Sequence, residues 1–177
     1  MKQYLFKSRR LGFRNWLPSD TDKLAAINAD KEVMAFFPST RTRQETKSFI
    51  SRMQQQYSEK GYCYFAIDEL EDDTFIGFIG LSEQNYEADF TPCIDIGWRL
   101  AKTAWNKGYA TEGAKRCLEY GLEKLKINKI YSIAPVINTK SVQVMKNIGM
   151  SKVKTFDHPQ LLDDARLREC ILYIMEK

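Results

Sequence analysis

Histidine is almost missing from this 177-residue chain, which has only His158. One imidazole excludes zinc clusters built on paired histidines, and no cysteine has a histidine partner implied by sequence that would make it a nucleophile. Cysteine is also scarce: Cys63, Cys93, Cys117 and Cys170 show no CxxC spacing, and three of them sit in apolar-patterned segments. That usage indicates neither a disulfide framework nor a metal site, and a reducing, cytoplasmic compartment is the simplest reading. No apolar run approaches membrane-spanning length, and the N-terminal MKQYLFKSRRLGF lacks the apolar core of a signal peptide, so no membrane partner is expected. There is no lysine or arginine run, and 27 basic against 23 acidic side chains leave a net charge of +4, too mild an excess to imply nucleic acid. Repeats, low-complexity tracts and linkers are absent too. With 44% hydrophobic and 28% charged residues, the whole of 1–177 is expected to form a single globular domain.

What the chain does have is a distinctive stretch from Cys93 to Glu123, CIDIGWRLAKTAWNKGYATEGAKRCLEYGLE. It begins as a strand, with Ile94, Ile96, Trp98 and Leu100 on one face by two-residue alternation. It ends as a helix, with Ala110, Ala114, Cys117, Leu118, Gly121 and Leu122 recurring at three and four. The turn between them, Trp105 to Ala110, carries Gly108 where backbone has to approach a ligand closely. Strand, tight turn and helix N-terminus together present unpaired N–H groups and a positive dipole end, a setting for a diphosphate. An ordinary strand-to-helix corner would show the same single glycine.

Other elements follow from local signals. Leu11 to Leu17 reads as a strand, and Ser19 as the N-cap of a helix with Asp20 and Asp22 in its first turn. Thr42 and Glu45 form a capping box for a second helix that Gly61 closes. YCYFAID and FIGFIGL pair as a hairpin around Asp72 and Asp73, with Gly77 and Gly80 marking close backbone approach or a bulge. SEQNYEADFTP is a polar connection. Lys129 to Ala134 is a further strand, Asn138 to Ile148 a helix stopped by Gly149, and Met150 to Phe156 and Leu167 to Met175 the closing strands. This order predicts an α/β fold with a mixed central sheet and helices on both faces.

IGWRLAKTAWNKGYATEG resembles the acyl-CoA-binding segment of the GNAT superfamily of N-acetyltransferases, whose usual form is Gln/Arg-x-x-Gly-x-Gly/Ala. Here Trp105 stands at the first place, followed by Gly108 and Ala110, as in the branch of ribosomal-protein N-terminal acetyltransferases. Asn138 to Met150, NTKSVQVMKNIGM, is similar to the family's Asn-x-x-Ser-x-x-x-x-Glu-Lys-x-Gly-Phe segment, and the resemblance covers essentially the whole chain. It implies the GNAT fold, with a splayed strand pair between the organising strand and IYSIA, and acetyl-CoA as co-substrate without metal. It also implies a primary amine acceptor, a peptide N-terminus or a small molecule, and a monomer or homodimer.

The residues so implied for the cofactor are Trp98 and Leu100 through their backbone, Trp105, Asn106, Lys107, Gly108, Tyr109, Ala110 and Thr111 around the diphosphate, and Asn138 and Ser141. Ser141 is the candidate for protonating the leaving sulfur, because Met145 stands where many members have a tyrosine acid. Glu83 and Asp95 are the candidate general bases, and His158 reads as a turn residue beside Pro159. Met34, Phe36 and Phe37 serve either core packing or an acceptor groove. With Arg41, Arg43 and Arg52 nearby, that groove suits an acceptor with an apolar part and a carboxylate better than a polyamine. A CoA-binding module without catalysis is the alternative reading. A nucleotide-using transferase is disfavoured, since no Gly-x-x-x-x-Gly-Lys-Ser/Thr string is present.

Overall fold

The computed structural model describes residues 3–177, so Met1 and Lys2 of the N-terminal segment lie outside the described residues. Among the described residues, eight strands form one sheet: β1 (Phe6–Lys7), β2 (Leu11–Arg14), β3 (Tyr64–Glu69), β4 (Thr74–Gln84), β5 (Cys93–Leu100), β6 (Lys129–Pro135), β7 (Ser151–Asp157) and β8 (Glu169–Glu176). Their order across the sheet is β1-β2-β3-β4-β5-β6-β8-β7. All neighbours are antiparallel except β5 and β6, which run parallel and share a single registered pair, Asp95 with Tyr131. One pair is too little to hold two strands together along their length, so they diverge beyond it. The helices are α1 (Asp20–Ala29), α2 (Arg43–Lys60), α3 (Tyr109–Glu119) and α4 (Thr139–Asn147).

Strand pairing sorts the side chains onto two faces. Ile79 lies opposite Trp98, Leu81 opposite Ile96 and Glu83 opposite Ile94, so these six share one face. That face receives α3 and the helical turn that follows it, where a side chain on Gly113 would collide with Ile79 and one on Gly121 with Leu81 and Ile130. Phe78, Gly80 and Ser82 pair with Arg99, Gly97 and Asp95 on the other face, where Phe49 of α2 and Trp16 from the connection before α1 lie tilted against Phe78. Leu11, Phe13, Phe65, Ile67, Ile79, Leu81, Ile96 and Ile130 are fully or almost fully buried within one continuous core. This is the mixed sheet with helices on both faces that the sequence predicts.

Local signals differ in how they fare. The Thr42–Glu45 capping box closes as expected, and Gly61 ends α2 in the left-handed region at φ 77°. Gly80 has the Cys63 carbonyl so close that any side chain there would strike backbone. Ser19, by contrast, is not a side-chain cap: its backbone is already helical, and the Asp20 carboxylate takes the Leu17 N–H instead, at 2.8 Å. The first long strand stops at Arg14 rather than Leu17, because Arg14 turns inward to Asp20 and Asp68. The α3 helix runs on as a π-helical turn, Tyr120–Lys124, with Gly121 pressed to the sheet. Among the described residues no helix is long and apolar enough to cross a membrane, and no group of three or more His, Cys, Asp or Glu could hold a metal ion.

Candidate active site

A cleft of 820 Å³ opens where β5 and β6 part, between the N-terminal ends of α3 and α4. Its lining runs from the aromatic residues Phe36, Phe37, Phe49, Tyr64 and Phe78 at one end to the Trp105–Thr111 turn at the other. The volume lies in the range of small-molecule sites, and its two ends differ in chemistry.

The turn end is built by backbone geometry. Asn106 (φ 59°) and Gly108 (φ 79°) are both left-handed, and Gly108 occupies the N-cap of α3 with no side chain to cap it. The first backbone bond of the helix is Glu112 N–H to the Gly108 carbonyl at 3.0 Å, so the preceding amides remain as open donors. The Trp105 indole closes the turn by donating to the Leu100 carbonyl at 3.0 Å, which takes up a group that the sequence reading reserves for a cofactor. A second latch comes from the β1–β2 turn: Arg10 Nε donates to Glu112 Oε2 at 2.7 Å, and Ser8 and the Arg10 amide both donate to Oε1. Arg10 also reaches the Lys107 carbonyl at 3.0 Å and lies over the Tyr109 ring. Tyr109 donates in turn to Glu69. The turn is therefore held from behind while its amides stay free.

Across the cleft, Asn138 caps α4 by accepting the Ser141 N–H at 3.2 Å, so the structure gives its amide oxygen the ordinary capping role. Ser141 and Met145 both line the cleft. Met145 is an apolar, buried side chain with no proton to offer, and the Ser141 hydroxyl is the nearer candidate acid on this helix.

The two candidate bases separate sharply. Asp95 lines the cleft and is buried, accepting the Tyr64 hydroxyl at 2.6 Å, while Gln84 donates to that same hydroxyl at 3.3 Å. Burial pushes its pKa from 3.8 up to about 6, and the bonds from Tyr64 and Gln84 only partly oppose that. The Tyr64 hydroxyl is driven well above its ordinary value by the same burial and by the carboxylate it serves. Glu83 sits on the opposite face of the sheet, paired with Lys60 at 2.8 Å, and does not line the cleft. The residue that sequence reasoning missed is Arg99, on the face of Asp95 and four positions further along β5. A charge inside an apolar strand, at even spacing from a second charge, was the signal for it.

Of the other expected residues, Trp98, Leu100, Trp105, Asn106, Gly108, Tyr109, Ala110 and Thr111 line the cleft with Asn138 and Ser141; Lys107 does not. Phe36 and Phe37 line it and Met34 is packed in the core. Arg41, Arg43 and Arg52 are exposed and off the cleft, the first two paired with Glu45 and Asp22. His158 is a turn residue whose Nδ1 accepts the Gln160 N–H at 3.2 Å, with its ring against Tyr86.

Comparison with known proteins agrees with this architecture. The family described as an acetyltransferase (GNAT) domain matches residues 10–151. The N-acetyltransferase YnaD of Bacillus subtilis (strain 168), itself uncharacterized, is 29% identical over 146 residues, 82% of this chain and 81% of its own. The ribosomal-protein-S5-alanine acetyltransferase of Vibrio fischeri superposes with a TM-score of 0.76 at 16% identity, covering 97% of this chain and 95% of that one. A spermidine N-acetyltransferase of Vibrio cholerae, solved with CoA and spermine, gives 0.74 at 18% identity over 94% and 95%. With the family pattern matched over most of its length and the fold shared throughout, this chain belongs to the GNAT family of acetyltransferases.

Proposed function

We propose that the protein transfers an acetyl group from acetyl-CoA directly to a primary amine, a peptide N-terminus or a small α-amine, without a covalent enzyme intermediate. The observation that carries this is the meeting, in one cleft, of a buried carboxylate with a pKa near neutrality and an uncapped helix N-terminus. Acetyl-CoA supplies the activated acetyl thioester. The free amides at the start of α3 suit its diphosphate, since they offer hydrogen bonds and a positive dipole end without a competing side chain. The parting of β5 and β6 leaves backbone groups for the pantetheine arm and for a thioester oxygen on which negative charge develops.

Asp95 takes a proton from the acceptor's ammonium, directly or through one water, and leaves the neutral amine as nucleophile. A base of pKa about 6 is largely ionised at neutral pH yet far more basic than an ordinary aspartate. Ser141 hydrogen-bonds to the sulfur as the carbon–sulfur bond breaks. The proton that the attacking nitrogen sheds on becoming an amide replaces the one the hydroxyl gives to sulfur, so CoA leaves as the thiol and the serine is regenerated. The buried Met145 favours a second reading, a CoA-binding module without turnover, because it removes the tyrosine that many members use as acid. An acetyl-CoA turnover assay over a panel of amines separates the two. Calorimetry on Gly108→Val tests the cofactor assignment. A side chain at φ 79° strains the turn and crowds the diphosphate, so affinity for CoA should drop at least tenfold; unchanged affinity in a folded variant would remove the turn from the site. Ser141→Ala should lower turnover about a hundredfold with acetyl-CoA affinity nearly intact, and full activity would hand the proton to water.

A further inference from the structure

Arg99 is held in the aromatic end of the cleft by contacts that leave its charge unanswered. Its Nη1 donates to Asn28 Oδ1 at 2.7 Å, and its guanidinium lies 4.2 Å from the centre of the Phe37 ring and 5.2 Å from that of Phe78. The Nε atom is enclosed and has no hydrogen-bond partner, and no carboxylate among the described residues pairs with the side chain. Arg14 shows what the same group does when it is satisfied: its Nε and Nη2 grip both oxygens of Asp68, at 2.6 and 2.9 Å. In Arg99 the Nε half of that edge is closed off and Nη1 is taken by Asn28, which leaves Nη2 as the N–H group open to a carboxylate. A cation with so little compensation is costly to hold and is kept where something supplies the counter-charge. Burial, and after it the like charge of Arg41, even lower its pKa to about 10.

Resting on the transferase reading above, we propose that Arg99 determines acceptor specificity by taking a carboxylate of the amine substrate at its Nη2 group. The preferred acceptors are then amines whose acid lies several bonds from the nitrogen, such as acidic peptides, and polyamines are poor ones. Asp95 and Arg99 share one strand face with about 13 Å between their Cα atoms, set by four residues of strand rise. Base and anion site thus mark the two ends of the acceptor: its amine at Asp95, its acid at Arg99, and its apolar body along Phe37, Phe49 and Phe78. The likeness to a spermidine enzyme extends only to the fold and does not bear on this choice.

The test compares matched amines that differ only in charge: phenylalanyl-aspartate amide with phenylalanyl-asparagine amide, and phenylalanyl-glutamate amide with phenylalanyl-glutamine amide, with spermidine as a further probe. In the wild-type protein the acid of at least one pair should exceed its neutral partner in kcat/KM by tenfold or more, chiefly through KM. Arg99→Gln should reduce that preference to within twofold while acetyl-CoA affinity, by calorimetry, is unchanged; Arg99→Lys, which keeps the charge without the planar guanidinium, should recover part of it. A preference that survives in Arg99→Gln, equal use of acid and neutral amines, or spermidine as the best substrate overturns the proposal. The same pairs titrated into the CoA-loaded protein read the carboxylate preference without turnover, so a lack of transferase activity counts against the reaction and not against the anion site. If Arg99→Gln fails to fold, the wild-type pairs and Arg99→Lys still decide.

Discussion

Two buried groups of charge share one face of the sheet and are built to opposite rules. In the first, Arg14 on β2 lies between Asp20 at the start of α1 and Asp68 on β3, with four bonds of 2.6 to 2.9 Å to their four carboxylate oxygens. Burial works against the charged guanidinium, and those bonds more than offset it, so its pKa is raised. In the second, Asp95 and Arg99 on β5 are buried or half-buried with opposite charges, yet neither uses the other as an ion-pair partner. Asp95 has a tyrosine for company and Arg99 an asparagine and two rings. Burial dominates both, raising the acid and lowering the base. The first group has nothing left to bind and ties strand, helix and strand together. The second is left unsaturated at the cleft, and its unspent capacity is what a substrate can use.

The difference breaks most visibly at Asp95. Asp95→Asn should cut turnover by about 10²–10⁴, the usual worth of a general base, without costing stability. The sign follows from the direction of the shift. A folded-state pKa of about 6 against 3.8 means that folding favours the protonated acid, so stability tied to that proton is present at low pH and lost as pH rises from about 4 through 6. Above that window the ionised carboxylate costs roughly 3 kcal/mol by the same shift. The neutral asparagine should therefore melt at or above the wild-type temperature at pH 7.5. A variant that loses both activity and several degrees of melting temperature would show Asp95 to be a structural anchor like Asp68.

Arg14→Met tests the opposite prediction. It strands two carboxylates in the interior, and removing one member of a buried ion group typically costs about 3–5 kcal/mol. For a chain of this size that is a fall of roughly 6–20 °C in melting temperature. Activity per folded molecule should be retained, since the cleft does not include Arg14. A loss of turnover at temperatures where the variant is fully folded would mean that the two charge groups are coupled through β3.

What could be read in advance follows the same division between local and non-local physics. The Thr42–Glu45 box and the Gly108 turn depend on residues within a few positions, and sequence is enough for them. Ser19 has the sequence signature of a cap but does not act as one, because the acceptor that takes the place, the Asp20 carboxylate, is fixed by Arg14 from another element. Glu83 and Asp95 look alike in sequence, both acids in apolar strands. Which face each occupies depends on the β4–β5 register, and the polar connection between the two strands does not encode it. Within β5 alone the even spacing of Asp95 and Arg99 puts both on one face, a signal that the sequence reading passes over. The two-residue β1 carries no alternation at all, yet its neighbours Ser8 and Arg10 hold the α3 turn through Glu112.

The smallest expected effect sharpens the comparison most, because it asks how far Asp95 is tuned by the tyrosine that bonds it. The hydroxyl of Tyr64 bonds to the ionised carboxylate at 2.6 Å and so pulls the Asp95 pKa down, against a larger upward push from burial. Tyr64→Phe removes the hydroxyl and keeps the ring beside Phe49 and Phe78, so packing is largely preserved. With its opposing bond gone, Asp95 should titrate higher, and the acid limb of kcat/KM, expected near pH 6 in the wild type, should move upward by a fraction of a unit to about one unit, worth up to about 1.4 kcal/mol. At pH 8.5, above both limbs, variant and wild type should differ little; at pH 6 the variant should be several-fold slower. A limb that stays in place would mean that another group titrates there, and one that moves downward would mean that Tyr64 destabilises the carboxylate it touches. Arg99 supplies the control: Arg99→Gln, which touches neither Asp95 oxygen, should shift the limb less than Tyr64→Phe does.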